Sequence, residues 1–150
     1  NDRVDLALFA RCDAVHLGQD DPEPEEARAI VEAAGRSMSI GISTHDEVQA
    51  ERAARLPVDY VAVGPVRGTG TKENADPVLG VARAREIAAR VKGVRDVPAV
   101  AIGGIDAGAA SELRGAFDAV AVVAALLPRE GRPLADAAVR AREIVEAFTR

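Results

Sequence analysis

The chain has 150 residues, with 24 acidic against 19 basic side chains and a formal net charge of −5, and no basic stripe that would suit a nucleic-acid partner. Its one cysteine, Cys12, rules out a disulfide framework within the chain and reads as a small buried hydrophobe. No run approaches the ~18 apolar residues of a membrane-spanning helix, so the composition predicts a soluble, cytoplasmic domain with no membrane partner.

After Asn1-Asp2-Arg3 a helical run extends from Val4 to Arg11. Short apolar runs then alternate with amphipathic, alanine-rich ones. Ala14 to Leu17 predicts a strand and Glu25 to Ala34 a helix; Ser39 to Ile42 a strand and Asp46 to Leu56 a helix. Tyr60 to Val63 is followed by Val81 to Val94, Ala99 to Ile102 by Ala107 to Arg114, and Ala119 to Val123 by Leu134 to Phe148. Strands without polar alternation belong to a parallel sheet covered on both faces. The helices gather charge on one side, as with Glu47, Glu51 and Arg55. The pattern predicts an α/β sheet or barrel. A closed (β/α) barrel has eight strands and takes at least ~200 residues, so the last five βα units of such a barrel are expected here, with earlier strands upstream of Asn1.

Every predicted strand ends in a polar or glycine-rich turn: His16 to Asp21, Ser43-Thr44-His45, Gly64 to Lys72, and Gly103-Gly104. In parallel α/β folds such turns converge on one face, where ligands bind. The stretch Val58 to Lys72 is the most telling of them. Gly68 and Gly70 let the backbone approach a ligand, Thr69 and Thr71 offer hydroxyls, and Lys72 offers an ammonium, which together suit an anionic oxygen. A flexible surface turn would carry the same residues. Ser43 sits where a helix begins, but Thr44 with Glu47 three residues on makes the better capping box and leaves Ser43 to face a ligand.

Val4-Asp5-Leu6-Ala7 after Asn1-Asp2-Arg3, then Val15 to Asp21, Gly41 to His45, Gly64-Pro65-Val66, Thr69 to Lys72 and Ala101 to Ile105 resemble thiamine-phosphate synthase. The likeness covers essentially all of the chain, in order and at the right spacing. His-Leu-Gly-Gln-x-Asp combined with Thr-x-Thr-Lys is specific, whereas Ile-Gly-Gly occurs in many phosphate-binding barrels. The resemblance implies a (β/α)8 TIM barrel, present here over residues 1–150 as an N-terminally incomplete one. It implies a transferase of thiamine biosynthesis that joins hydroxymethylpyrimidine pyrophosphate to a thiazole phosphate and releases pyrophosphate, with Mg2+ as cofactor. Departure of pyrophosphate would leave a pyrimidine-methyl cation for the thiazole nitrogen to capture, chemistry that needs leaving-group neutralisation and close positioning. Assembly into a homo-oligomer is compatible with it.

The resemblance also distributes roles. Asp2 and Asp21 match magnesium ligands, which suits an ion that takes one or two carboxylates and completes its shell with water and phosphate. Locally, Asp2 reads as the N-cap of a helix starting near Arg3, with Asp5 at the capping-box position, and Asp21 as a turn residue before Pro22. Asp20 reads as solvated. Asn1, Ser43 and Lys72 match residues that bind the pyrophosphate, and the catalytic assignments are Ser43 and Lys72. His16 would lie near the pyrimidine and His45 would be structural. Thr69, Thr71 and the backbone of Gly103 and Gly104 would hold the thiazole phosphate, with Gly103-Gly104 also a plausible turn before an N-cap at Asp106.

Two departures stand against the pattern. Ala124 occupies the place of a phosphate-binding serine, so backbone N–H groups must serve there, and a Gln-Leu-Arg-Glu-Lys segment would lie upstream of Asn1. Residues 1–150 alone are expected to be inactive. A thiazole tautomerase of the same superfamily would keep the phosphate site without the metal site, against which Asp21 and Lys72 speak. A non-catalytic module for thiazole phosphate or thiamine phosphate is the third reading.

Overall fold

A computed structural model describes residues 1–70, 76–131 and 133–150. Helix α1 (Val4–Phe9) leads into β1 (Ala14–Leu17), followed by α2 (Pro24–Ala33), β2 (Ser39–Thr44), α3 (Glu47–Ala53) and β3 (Tyr60–Val63). The second half continues with α4 (Val81–Val94), β4 (Ala99–Ile102), α5 (Ala107–Leu113), β5 (Ala119–Ala121), a 3-10 turn (Ala124–Leu126) and α6 (Ala135–Thr149). The sheet has five strands in the order β1-β2-β3-β4-β5, all parallel. Sequential order is what barrel winding produces, whereas a doubly wound sheet reverses direction at a switch point. The expected barrel-type α/β architecture is therefore the observed one.

With aromatic residues at 3%, the core is made from valine, isoleucine and alanine. Ala50, Ala84, Ala88, Ala109 and Ala110 are fully buried, so α3, α4 and α5 lie close on the sheet. Opposite charges tie neighbouring helices on the outside, Glu47 to Arg83 at 2.8 Å and Glu51 to Arg90 at 3.1 Å. At the amino-terminal edge of the strands one device recurs. Asp59 accepts from the Ile40 N–H at 2.7 Å and from Arg28, and Asp118 accepts from the Ala99 N–H at 2.8 Å while pairing with Lys92.

Several local expectations are corrected. Thr44 does not cap α3: it is fully buried at the end of β2, donating from Oγ1 to the Ala62 carbonyl at 2.9 Å. The cap is Asp46, which accepts from the Gln49 N–H at 2.8 Å, while Gln49 Oε1 accepts from the His45 N–H. Asp2 does not cap α1 either, because Arg3 holds the N-cap position without a side-chain cap, and Asp5 pairs with Arg3. Cys12 is exposed, not buried: Arg11 turns the chain at φ 56 to close α1, and Cys12 lies beyond the helix, short of β1. β5 stops at Ala121, two residues early, because the chain coils into the 3-10 turn.

Candidate functional site

The carboxyl ends of the five strands form one rim. Asn1 and Asp2 join it from the side, since the Asp2 N–H donates to the His16 carbonyl at 2.9 Å, alongside β1. Asp2 adopts φ 62, a left-handed conformation that aspartate tolerates better than most residues and that often marks functional positions. Its carboxyl reaches Asp21. Partial desolvation, then a hydrogen bond to Asp21 and the charge of Asp21, raise the Asp2 pKa, offset in part by His16. Two acids set against each other in this way repel unless a proton or a cation lies between them. Asp21 is a turn residue as well, accepting from the Gly18 N–H at 2.6 Å, and Asp20 is exposed as expected.

Beside this pair, His16 Nε2 lies 2.8 Å from Ser43 Oγ, and His16 Nδ1 lies 2.8 Å from the Tyr60 hydroxyl. Burial lowers the pKa of His16, while the charges of Asp2 and Asp21 act to raise it. Gln19 donates to the Ser43 carbonyl at 2.6 Å, tying the turn after β1 to the end of β2. Asn1, His16 and Tyr60 stand at a cavity of about 400 Å3 whose other walls are Ala62, Val100, Ile102 and Ala121.

The glycine-rich turns meet on the other side of the rim. The Val66 N–H donates to the Ile102 carbonyl at 2.9 Å and the Arg67 N–H to the Gly103 carbonyl at 3.0 Å, so the loop after β3 continues the ladder onto the end of β4. Gly103 and Gly104 adopt φ 90 and 64 beneath it. A Cβ on Gly104 would stand 2.7 Å from the Gly68 carbonyl oxygen, which places the Gly-Gly turn against the residue preceding the half-buried Thr69. Asp106 caps α5, accepting from the Ala109 N–H at 2.8 Å. His45 Nδ1 donates to the Gly64 carbonyl at 2.7 Å and its Nε2 lies 3.4 Å from Asp76, so it braces this loop in the structural role expected of it. Thr71 and Lys72 lie outside the described residues. Ala124, itself exposed, begins the 3-10 turn after β5.

Two residues of the site were not expected from the sequence. Arg67 pins the loop after β3 to α5 through Asp106 at 3.1 Å and Glu112 at 2.6 Å. Its ion pairs span about 40 positions, beyond the reach of any local pattern. Tyr60 read only as a strand residue, although a lone tyrosine in a strand of alanine and valine was a usable sign.

Among the described residues, no cluster of three or more His, Cys, Asp or Glu side chains could hold a metal, so Asp2 and Asp21 face each other as a pair with no third such side chain completing a cage. No described helix is long and apolar enough to cross a membrane.

Residues 1–126 match the family model described as thiamine monophosphate synthase. The chain is 44% identical over 133 residues to the thiamine-phosphate synthase of Koribacter versatilis, covering 87% of this chain and 60% of that protein. It is 39% identical over 150 residues to that of Methanoregula boonei, covering 99% of this chain and 64% of the relative. Among solved structures, thiamine phosphate pyrophosphorylase from Pyrococcus furiosus superposes with a TM-score of 0.77 at 32% identity, over 98% of this chain and 66% of that one. A 3-hexulose-6-phosphate synthase superposes with a TM-score of 0.68 at 18% identity, over 97% of this chain and 67% of that one, a likeness of fold alone. The chain thus spans about 60% of the length of the curated relatives it matches.

Proposed function

Because the chain belongs to the thiamine monophosphate synthase family, we propose that it carries the pyrophosphate and thiazole-phosphate sites of an enzyme that couples hydroxymethylpyrimidine pyrophosphate to a thiazole phosphate. The observation that carries this reading is the convergence on one rim of two facing carboxylates, a serine hydroxyl bonded to a histidine, and a Gly-Gly turn packed against a Gly/Thr loop.

The acid pair suits Mg2+. Asp2 and Asp21 would hold the ion, with water and phosphate oxygens completing its shell, and such an ion neutralises charge on a departing pyrophosphate. The donor set fits because hard carboxylate oxygens are present without thiolate or a second histidine, and because the mutual repulsion of the acids is relieved by a cation. Asn1, Ser43 and Lys72 bind the pyrophosphate in this reading. Ser43 and Lys72 act on charge that grows as the bond to pyrophosphate breaks, and His16 lies beside the pyrimidine. Thr69, Thr71 and the backbone of Gly103 and Gly104 take the thiazole phosphate. The protein is cytoplasmic, and a homo-oligomer accommodates the same site.

Thr71 and Lys72 are adjacent in sequence yet are assigned to different phosphates, which gives a sharp test. In the full-length protein, Thr71→Val is expected to raise mainly the KM for the thiazole, by roughly 1 kcal/mol for one lost hydrogen bond. Lys72→Ala should instead lower kcat, since its ammonium acts on developing charge. Steady-state kinetics with each substrate varied in turn separates the two. If both substitutions altered only the thiazole parameters, the loop would be a single phosphate clamp, as a tautomerase or a binding module requires.

A further inference from the structure

One row of the sheet reads His16, Gly41, Tyr60, each the in-register neighbour of the next across β1, β2 and β3. Adjacent strands lie about 4.8 Å apart, so side chains two strands apart meet only when the residue between them leaves its space empty. Gly41 does so. A Cβ there would stand 1.9 Å from Tyr60 Cζ and 2.3 Å from Cε1, inside the ring. Over the glycine the rings of His16 and Tyr60 stack with centroids 5.6 Å apart and 26° between their planes. The result is a hydrogen-bonded chain from the Tyr60 hydroxyl through both imidazole nitrogens to Ser43 Oγ, each link 2.8 Å long.

Such a chain has two possible directions. A neutral imidazole has one N–H and one acceptor nitrogen, so His16 donates to one of its two hydroxyl partners and accepts from the other. If Nδ1 carried the proton, Ser43 would donate to Nε2 and be spent as a donor. Tyr60 would then accept, and its own hydrogen would turn toward a cavity walled by Ala62, Val100, Ile102 and Ala121 beside Asn1. In the other direction Tyr60 donates to Nδ1, the proton sits on Nε2 and is given to Ser43 Oγ, and the serine hydrogen is left to point at a ligand. This direction satisfies the phenol within the row. It also makes Ser43 a donor, which an anionic phosphate oxygen requires.

We propose that Tyr60 is a positioning residue which, through the tautomer of His16, fixes the Ser43 hydroxyl as a hydrogen-bond donor to the pyrophosphate, with Gly41 as the seat that lets the three side chains meet. The identity of the ligand rests on the function proposed above; the tautomer does not.

Tyr60→Phe in the full-length protein keeps the ring over Gly41 and removes only the hydroxyl. Without substrate, nitrogen-15 NMR of the imidazole is expected to show His16 protonated on Nε2 in the wild type and shifted toward Nδ1 protonation in Tyr60→Phe. With both substrates, kcat should fall about tenfold with the thiazole KM unchanged. Ser43→Ala should fall at least as far, and adding Tyr60→Phe to Ser43→Ala should cause no further loss, because both act through one hydroxyl. A wild-type proton on Nδ1, an unaltered tautomer or unaltered kcat in Tyr60→Phe, or an equal loss in the Ser43→Ala background would overturn the proposal. A wild-type protein with the expected tautomer but no coupling activity would instead remove the pyrophosphate as the ligand of Ser43, and with it the synthase reading.

Discussion

Asp21→Asn in the full-length protein is expected to lose about 100-fold in Mg2+-dependent turnover, an effect on the order of 3 kcal/mol. Asparagine keeps a side-chain oxygen for the Gly18 N–H, which Asp21 holds at 2.6 Å, so the turn survives and only the charge is removed. That charge opposes Asp2 across the rim and contributes to the raised pKa of Asp2. In the proposed reaction its loss would leave a single carboxylate for Mg2+, and the departing pyrophosphate would lose support that matters most in the transition state. Thiazole phosphate binding should be nearly untouched, since the site proposed for it lies in the loops after β3 and β4. Turnover measured against Mg2+ concentration checks this, and unchanged turnover at limiting Mg2+ would leave Asp21 with its turn role alone.

Gly103→Ala is expected to destabilise the protein by roughly 2–4 kcal/mol and to weaken thiazole phosphate binding along with it. The backbone at Gly103 adopts φ 90, which side chains rarely accept, and a Cβ would stand 2.5 Å from Pro65 Cβ and 2.6 Å from Pro65 Cα. Neither partner can swing away, because Pro65 is rigid and the next two residues are bonded to Ile102 and Gly103. The Gly/Thr loop and the Gly-Gly turn would have to separate, which is the contact on which the proposed phosphate site depends. Urea unfolding of the variant beside the wild type measures the first effect. A difference within about 0.5 kcal/mol would mean that the two turns do not pack as described.

What was legible in the sequence follows a physical line. The five strands were visible because a parallel sheet buried on both faces must be apolar throughout, and β1, β3 and β4 fall at the expected residues. The rim was visible because such strands bring their terminal turns to one face, which is why His16, Ser43, Gly103 and Gly104 group together from the sequence alone. Asp106 was legible as a cap because capping is local. Thr44 was misread for the same reason: its spacing to Glu47 fits a capping box, but β2 runs on to Thr44 and buries its hydroxyl against the Ala62 carbonyl. Tyr60 and Arg67 were missed because their partners lie one or two strands away, where only register and packing bring residues together.

The site is proposed to couple two phosphorylated rings. The most direct test is to mix the full-length protein with hydroxymethylpyrimidine pyrophosphate, the thiazole phosphate and Mg2+, and to follow thiamine phosphate and pyrophosphate together. Both products are expected to form in equal amounts, and chelation of Mg2+ is expected to stop them. Binding of the thiazole phosphate with no coupled product, or its isomerisation without any need for the pyrimidine substrate or Mg2+, would contradict that proposal.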